Sequence, residues 1–198
     1  DSAFSICSSL LSIEVDANNK SYCDVDGVLF TNDKATLIQY PIGNKATNYA
    51  ILDGVKTIED CAFSHCNSIK SIVIPRSVAR FGSHAFSYCG GLESITIPSG
   101  ASSKYIYSYA FSNCSNLTSV TIESQAITIY SGAFDNCSSL ETIYLYYNSS
   151  VDKYFSSSEY TKKYLDVYYI YYNLNGGSGD FARQKKSPAK LSGRFCYS

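Results

Sequence analysis

Charge, histidine and long apolar runs are all scarce in this sequence, and methionine and tryptophan are absent. Charged residues make up 17% of the chain and the formal net charge is −1, which argues against nucleic acid or an anionic membrane surface as a partner. No apolar run approaches the roughly 18–20 residues of a membrane span, so membrane insertion is not expected. With two histidines, no C-x-x-C spacing and no G-x-S-x-G turn, the sequence indicates no cofactor, no metal site and no catalytic centre.

The length and the apolar content of the chain are compatible with one ordinary folded domain. The chain has 198 residues, of which 45% are apolar, and this is enough for a continuous core. Because there is no initiating methionine and no signal peptide, we expect the chain to be a processed or excised piece of a longer protein.

An internal repeat is the strongest pattern in the chain. Ala-Phe pairs recur at residues 3–4, 62–63, 85–86, 110–111 and 133–134. The last four are separated by 23, 25 and 23 residues, and the first two by 59, which equals one 23-residue repeat plus 36 inserted residues. Each pair opens the pattern A-F-x-x-C-x-x-L-x-x-I-x-I. Repetition at such a period is typical of solenoid proteins.

Each repeat predicts a coil made of two strands and a turn. The last apolar positions alternate with period two, as in a strand with one buried face, and Pro75 and Pro98 end two of these strands. A second apolar pair predicts a return strand, and the A-F-x-x-C segment predicts one helical turn. The strand triplets are Leu10/Ile13/Val15, Ile69/Ile72/Ile74, Leu92/Ile95/Ile97, Leu117/Val120/Ile122 and Leu140/Ile143/Leu145, and the return positions are Val55/Ile58, Val78/Phe81, Ile106 and Ala126/Ile129. Stacked coils bury their apolar edges by pairing equivalent strands in parallel, which predicts a β-rich solenoid.

The repeat resembles the BspA-type leucine-rich repeat over about residues 3–147. The resemblance implies a right-handed, curved solenoid with parallel strands on its concave face and short helical turns. It also implies adhesion or partner binding without catalysis, in a secreted or cell-surface protein. Two departures are Glu123 in place of proline and two extra residues in the coil that begins at Ala85.

The inserted segment contains DVDGVLF, which is similar to the nucleophile motif of haloacid-dehalogenase-type phosphatases. In that family the first aspartate, which matches Asp24, follows a buried apolar strand. The preceding residues NNKSYC are polar, and no later lysine or paired aspartates occur in an α/β context. Residues 28–30 and 36–41 instead predict a β-hairpin, with a turn at Asp26-Gly27. This hairpin also resembles the inserts of BspA-type arrays, which carry the sequence D-G-V-L-F.

The eight cysteines raise the alternative of a disulfide framework. Five of them occupy one column of the repeat, namely Cys7, Cys66, Cys89, Cys114 and Cys137. Equivalent positions in stacked coils point the same way, so we predict a ladder of buried, reduced thiols. Cys23, Cys61 and Cys196 lie outside this column, and the sequence does not pair them.

The outward positions of the main strand give the candidate binding surface on the concave face. One column contains Ser12, Ser71, Ser94, Ser119 and Thr142, and the next contains Glu14, Val73, Thr96, Thr121 and Tyr144. Hydroxyl side chains tile a parallel sheet without charge repulsion, but they also offer a flat surface to a protein, a glycan or ice. Tyrosine is over-used at binding surfaces, although tyrosines at the last coil also fit a seal for the solenoid end. The candidate ligand-binding residues are Lys70, Glu93, Thr96, Thr121, Glu141, Tyr144 and Tyr146.

The sequence predicts three segments. Residues 1–150 form the solenoid with a hairpin insert at about 16–54, and residues 151–174 form a C-terminal cap, with a short helix at 153–165 and a strand at 166–172. Residues 175–198 form a flexible basic tail or begin a further module. We predict a non-catalytic interaction or adhesion module at the cell surface or outside the cell, with a protein or glycan partner. The alternatives are a spacer that presents another domain and part of an enzyme.

Overall fold

The structure is a computed structural model that describes residues 4, 7–146, 151, 154–155 and 161–164. This part of the chain contains thirteen strands and no helix, and so no helix that could cross a membrane. The strands are β1 (Tyr22–Val25), β2 (Val28–Thr31), β3 (Thr36–Gln39), β4 (Asn48–Ala50), β5 (Thr57–Ile58), β6 (Ser71–Val73), β7 (Arg80–Phe81), β8 (Ser94–Ile97), β9 (Lys104–Ile106), β10 (Ser119–Ile122), β11 (Ile127–Ile129), β12 (Thr142–Leu145) and β13 (Thr161–Tyr164). Strands this short are stable only because they stack and bury a face.

Equivalent strands of successive coils stack in parallel, as the repeat predicts. The strands β8, β10, β12 and β13 form one parallel sheet. In the two coils that precede β8, strand β4 pairs in parallel with β6. We call these six strands the ladder strands. Glu93 N donates to Lys70 O at 3.1 Å and so connects the β6 and β8 coils. The return strands β5, β7, β9 and β11 pair in parallel in a second sheet, which begins with β1, β2 and β3. The predicted solenoid is confirmed.

The core repeats the same side chains from coil to coil. Leu92, Ile95 and Ile97 are at most 2% exposed, and the triplets of the neighbouring coils are buried in the same way. Burying one such side chain contributes about 1.5–3 kcal/mol. The phenylalanines of the Ala-Phe pairs also stack. Their ring centroids are 4.9–5.2 Å apart in the pairs Phe63/Phe86, Phe86/Phe111 and Phe111/Phe134.

The Ala-Phe turn is not helical, so that part of the prediction is wrong. The residue before each pair and the residue two positions after its phenylalanine have a left-handed backbone. These residues are Cys61/His65, His84/Tyr88, Tyr109/Asn113 and Gly132/Asn136, with φ between 56° and 69°. Left-handed residues do not continue a right-handed helix. Alternate N–H groups of the turn bond to the next coil instead, as when Phe63 N donates to Ala85 O at 2.7 Å.

The predicted hairpin is confirmed, and an unpredicted strand precedes it. Strand β2 pairs antiparallel with both β1 and β3. Asp26 and Gly27 have φ values of 51° and 79°, as a two-residue hairpin turn between β1 and β2 requires. The carboxylate of Asp24 accepts a hydrogen bond from Val15 N at 2.9 Å, so it fastens the N-terminal segment to the hairpin. DVDGVLF is therefore a hairpin sequence in this fold.

A coil without an Ala-Phe pair lies between the hairpin and Ala62. Strand β4 is in register with β6, with Asn48 opposite Ser71, and Ile51 and Val55 are buried. Residues 39–54, which the sequence analysis places in the insert, thus follow the register of the coils.

The closing turn of this early coil uses different residues in the same places. Gln39 and Tyr40 stand 23 residues before Ala62 and Phe63. Tyr40 N donates to Ala62 O at 2.8 Å, and the Tyr40 ring stacks on Phe63 with centroids 5.2 Å apart. The repeat was missed here because neither residue matches the Ala-Phe pattern.

The strand predicted at Leu10, Ile13 and Val15 is wrong, because residues 10–15 form no strand. Ile13 is buried, while Leu10 and Val15 are half-buried. Ile13 N donates to Gly27 O at 2.9 Å, so this segment follows the hairpin rather than the ladder strands.

One return position of the later coils differs from the prediction, whereas Ile106 is buried as predicted and lies opposite Ile129. Ile127 is buried where Ala126 was predicted, and Ile129 is half-buried. Lys104 lies opposite Ile127 and is fully buried, and its ammonium donates to Val78 O. Burial lowers the pKa of Lys104. A lysine thus occupies an apolar column of the longer coil.

The last described strand extends the ladder by one coil. Strand β13 pairs with β12, with Thr161 opposite Thr142. It lies within residues 153–165, so the helix predicted there is wrong for residues 161–164. Phe155 is buried and packs on Phe134 with ring centroids 5.6 Å apart. The predicted strand at 166–172 and the tail at 175–198 lie outside the described residues, and the cap stays a prediction.

Candidate functional site

The outward side chains of the ladder strands form a continuous surface, which we call the ladder face. Along β8, β10 and β12 the apolar residues point into the core and their neighbours point outward. One row of the ladder face is Ser94, Ser119 and Thr142, and the next row is Thr96, Thr121 and Tyr144. The rows predicted from the sequence are therefore present in these coils.

At the N-terminal side of the ladder face the candidate residues form an ion pair. Lys70 Nζ lies 3.3 Å from Glu93 Oε1, and each side chain is 59% exposed. Ser71 Oγ donates to Asn48 Oδ1 at 2.7 Å beside this pair. An exposed pair of this kind contributes about 0–1 kcal/mol, so a ligand could replace it at little cost.

The C-terminal side of the ladder face carries the larger candidate side chains. Thr96 is exposed, while Thr121 and Tyr144 are half-buried. Glu141 is exposed immediately before β12, and Tyr146 is half-buried immediately after it. The structure thus brings six of the seven predicted residues, all but Lys70, into three neighbouring coils.

Lys70 lies at the other side of the face from Tyr144. Strand β12 is three coils beyond β6, which corresponds to about 14 Å at the usual spacing between strands. Seven residues so arranged can contact one large ligand, but they do not converge on one small molecule.

The chemistry of the ladder face is hydrogen bonding and packing. It offers hydroxyl groups, one ion pair and tyrosine rings, and the two histidines lie on the closing turns instead. Among the described residues, no group of three or more His, Cys, Asp or Glu is placed to hold a metal ion.

A second surface, on the return strands, was missed by the sequence analysis. We call it the tyrosine patch, and it consists of Tyr105, Tyr107, Tyr130 and Arg80. The guanidinium of Arg80 lies 4.9 Å from the centroid of the Tyr107 ring, and Tyr107 stacks on Tyr130 at 4.9 Å. Arg80 and Tyr130 thus lie against the Tyr107 ring from the two neighbouring coils, and Tyr107 is half-buried. The available signal was the 23-residue spacing between Tyr107 and Tyr130.

Both histidines stack on a tyrosine of the next coil. The ring centroids are 4.7 Å apart for His65 and Tyr88, and 5.2 Å apart for His84 and Tyr109. His65 Nδ1 also lies 2.9 Å from Ser64 Oγ. These contacts give the histidines a role in stacking the closing turns.

The predicted thiol ladder is confirmed for four of its five members. Cys7 is exposed, whereas Cys66, Cys89, Cys114 and Cys137 are buried, and none of the seven described cysteines forms a disulfide. Each of the last three donates its Sγ–H to a phenylalanine carbonyl of the preceding coil, in the pairs Cys89/Phe63, Cys114/Phe86 and Cys137/Phe111, at 3.0–3.1 Å. Burial raises the pKa of Cys66, and it raises the pKa of Cys89 to about 12. The raised pKa keeps Cys66 and Cys89 in the thiol form, which disfavours their reaction as thiolates in the folded chain.

Stacked coils, parallel ladder strands and repeated closing turns define a solenoid of the leucine-rich-repeat class. The family model described as the BspA type leucine rich repeat region matches residues 40–162 in six copies, and the chain belongs to this family. The match begins at Tyr40, in the coil that lacks an Ala-Phe pair. The family recognised from the repeat is confirmed.

Two solved structures have the same fold. A leucine-rich repeat protein from Eubacterium ventriosum aligns with a TM-score of 0.62 and 26% identity, over 73% of this chain and 40% of that one. A leucine rich cell surface protein from Faecalibacterium prausnitzii aligns with a TM-score of 0.55 and 28% identity, over 71% of this chain and 43% of that one. The chain thus spans less than half the length of either protein. No curated protein matches it.

Proposed function

We propose that the chain is a non-catalytic interaction or adhesion module of a secreted or cell-surface protein, and that its partner is a protein or a glycan. Membership of the BspA-type family and the likeness to a cell surface protein of F. prausnitzii support this proposal. The proposal includes no nucleic-acid partner, no membrane insertion and no cofactor or metal.

The observation that carries the proposal is the continuity of the ladder face. Its rows run in register through successive coils and are not covered by another layer of the described chain. A flat face of hydroxyl groups and tyrosine edges suits a large ligand, which gains affinity from area and many hydrogen bonds. Small substrates are usually held in concave pockets instead.

Within this face we assign the main share of the affinity to Tyr144 and Tyr146. A tyrosine ring gives a large contact area and a hydroxyl group with few rotatable bonds. The Lys70–Glu93 pair is solvated and the serine row is small, so each contributes less per residue. Thr96, Thr121 and Glu141 complete the surface around the tyrosines.

The test compares two matched double variants of the 198-residue chain. Tyr144→Ser with Tyr146→Ser removes two tyrosines from the ladder face, and Tyr105→Ser with Tyr130→Ser removes two from the tyrosine patch. Each protein is immobilised and probed with a panel of purified glycans and a panel of purified secreted proteins, after thermal unfolding has established the folded fraction. We expect the first variant to bind its ligand about tenfold more weakly per folded molecule and the second to bind normally.

Equal losses in both variants would contradict the assignment to the ladder face. A lower stability of the first variant with unchanged affinity of its folded fraction would place Tyr144 and Tyr146 in an end seal. If no probe binds the wild-type chain, the interaction module is rejected in favour of a spacer that presents another domain.

A further inference from the structure

A cavity of about 480 Å³ lies between the N-terminal segment, the hairpin strands and the closing turn of the early coil. Apolar side chains line its interior, among them Ile13, Leu29 and Ile38. It is separate from the ladder face, and the repeat pattern does not require it, because it forms where the hairpin meets the first regular coil.

The polar lining of this cavity is acidic. Glu14, Asp16, Glu59 and Asp60 line it, and no lysine, arginine or histidine is among its lining residues in the described chain. Arg80 partly neutralises one side, at 3.1 Å from Glu59 and 2.9 Å from Asp60. No described residue forms an ion pair with Glu14 or Asp16 on the other side.

A buried acceptor in the lining is the second, independent observation. Gln39 is only 4% exposed, and its Nε2 donates to Tyr40 O at 2.8 Å and to Ala62 O at 3.2 Å. These two bonds fix the orientation of the amide, and its Oε1 receives no hydrogen bond from any described residue. A buried acceptor without a donor is unfavourable. In the following coil the same position is Ala62, so the polar side chain is specific to the lining of this cavity.

We propose that the cavity binds a primary ammonium group on an aliphatic chain, as in a lysine side chain or a free diamine. The carboxylates attract the charge, the apolar interior holds the methylene groups, and Gln39 Oε1 accepts one of the three N–H donors of the ammonium. This binding site is additional to the ladder face and does not depend on the function proposed for it.

The experiment titrates the 198-residue chain with three probes and follows the protein's NMR chemical shifts. Nα-acetyl-lysine amide and cadaverine carry the ammonium, and Nα-acetyl-norleucine amide has the same aliphatic stem without it. We expect the two ammonium probes to bind and the norleucine amide to bind at least about tenfold more weakly, with affinity falling as salt is raised. Tighter binding of the lysine amide identifies a protein lysine as the source, and tighter binding of cadaverine identifies a free diamine.

Two variants and one control test the residues. Glu14→Gln with Asp16→Asn removes both unpaired charges, and Gln39→Ala introduces the alanine that the next coils carry at this position. We expect each to weaken ammonium binding about tenfold or more. Asp53→Asn removes one exposed carboxylate outside both the cavity and the ladder face, and it is expected to leave ammonium binding unchanged.

Three results would overturn the site. One is equal binding of the norleucine amide, another is unchanged affinity in both cavity variants, and the third is an equal loss in Asp53→Asn, which would indicate general attraction to the protein's charge. Thermal unfolding of each variant confirms that affinity is compared between folded proteins.

Discussion

The coils from Ala62 to Tyr146 and the early coil at residues 39–61 have the same register but are built from different side chains. In the later coils, identical phenylalanines stack and identical thiols donate to backbone carbonyls. In the early coil, Tyr40 takes the phenylalanine position and contacts Tyr49 edge to face at 4.9 Å. The bond from Tyr40 N to Ala62 O is nevertheless kept. The comparison teaches that a coil is specified by a ring of the right size and by the backbone bonds between coils.

The largest expected effect is in the periodic coils. We predict that Ile95→Asp destabilises the protein by more than about 4 kcal/mol, because an unpaired carboxylate enters the stacked core. Thr96→Asp is the matched control, since the next residue points outward, and it is expected to stay within about 0.5 kcal/mol. Urea unfolding followed by circular dichroism measures both. A native transition in Ile95→Asp would reject the strand phase.

In the N-terminal region we predict a smaller loss from Gly27→Ala, about 1–3 kcal/mol. Gly27 has φ 79°, and a Cβ there would clash with Ser12 Oγ. Gly54→Ala is the control, because Gly54 has φ 93° and no atom within 4 Å of its Cβ position. The same urea experiment compares the two. If they lose equal stability, the contact with Ser12 does not contribute and only the backbone strain remains.

The thiol ladder predicts a loss of stability at alkaline pH. Burial raises the pKa of Cys89 to about 12, whereas a thiol in the unfolded chain ionises near pH 8.5. The contribution is therefore fully present below about pH 8.5 and is lost as the pH rises towards 12, at about 1.4 kcal/mol per pH unit. In Cys89→Ala we expect this slope to become smaller by that amount. Urea unfolding between pH 8 and 11 measures it.

Ser87→Ala is the control, because it truncates a buried side chain of the same closing turn that does not titrate. Ser87→Ala is expected to leave the alkaline slope as it is in the wild-type chain. A slope unchanged in Cys89→Ala would show that the ladder thiols do not link folding to proton binding.

The smallest effect is expected where the two regions meet. Tyr40→Phe gives the early coil the phenylalanine of the later coils, and we predict a change of less than about 1 kcal/mol at pH 7. Burial raises the pKa of Tyr40 to about 12, so the variant should also lose less stability above pH 10. The reverse change, Phe63→Tyr, places a hydroxyl inside the stack and should cost about 1–3 kcal/mol. If thermal unfolding shows that Tyr40→Phe and Phe63→Tyr change the stability equally, the difference between the early coil and the later coils is contradicted.

The features that recur in the sequence could be predicted, and those that arise where unlike segments meet could not. The alternation around Ile95 and the column of Cys89 follow from period and burial alone. The left-handed backbone of His84 could not be predicted from residue types, because it results from hydrogen bonds to the next coil. The coil that contains Gln39 and Tyr40 could not be predicted, because these residues keep the geometry of the closing turn but do not match the Ala-Phe consensus.

The candidate sites divide in the same way. The rows of the ladder face follow from the repeat, whereas the tyrosine patch depends on the return phase of a coil with two extra residues. The acidic cavity brings Glu14 next to Gln39 and Asp60 through packing between segments that share no periodicity. Its residues could not be grouped without the structure.

The thiol ladder has a consequence for how long the protein survives in an oxidising medium. While the coils are closed, burial raises the pKa of Cys66 and Cys89, and thiols exchange disulfides only as thiolates. Once a molecule opens, Cys66, Cys89, Cys114 and Cys137 become ordinary thiols that can join in non-native pairs, and a chain crosslinked in this way cannot re-form its coils. Unfolding is then a one-way event, and the lifetime of the protein is set by the rate of opening rather than by its free energy of unfolding.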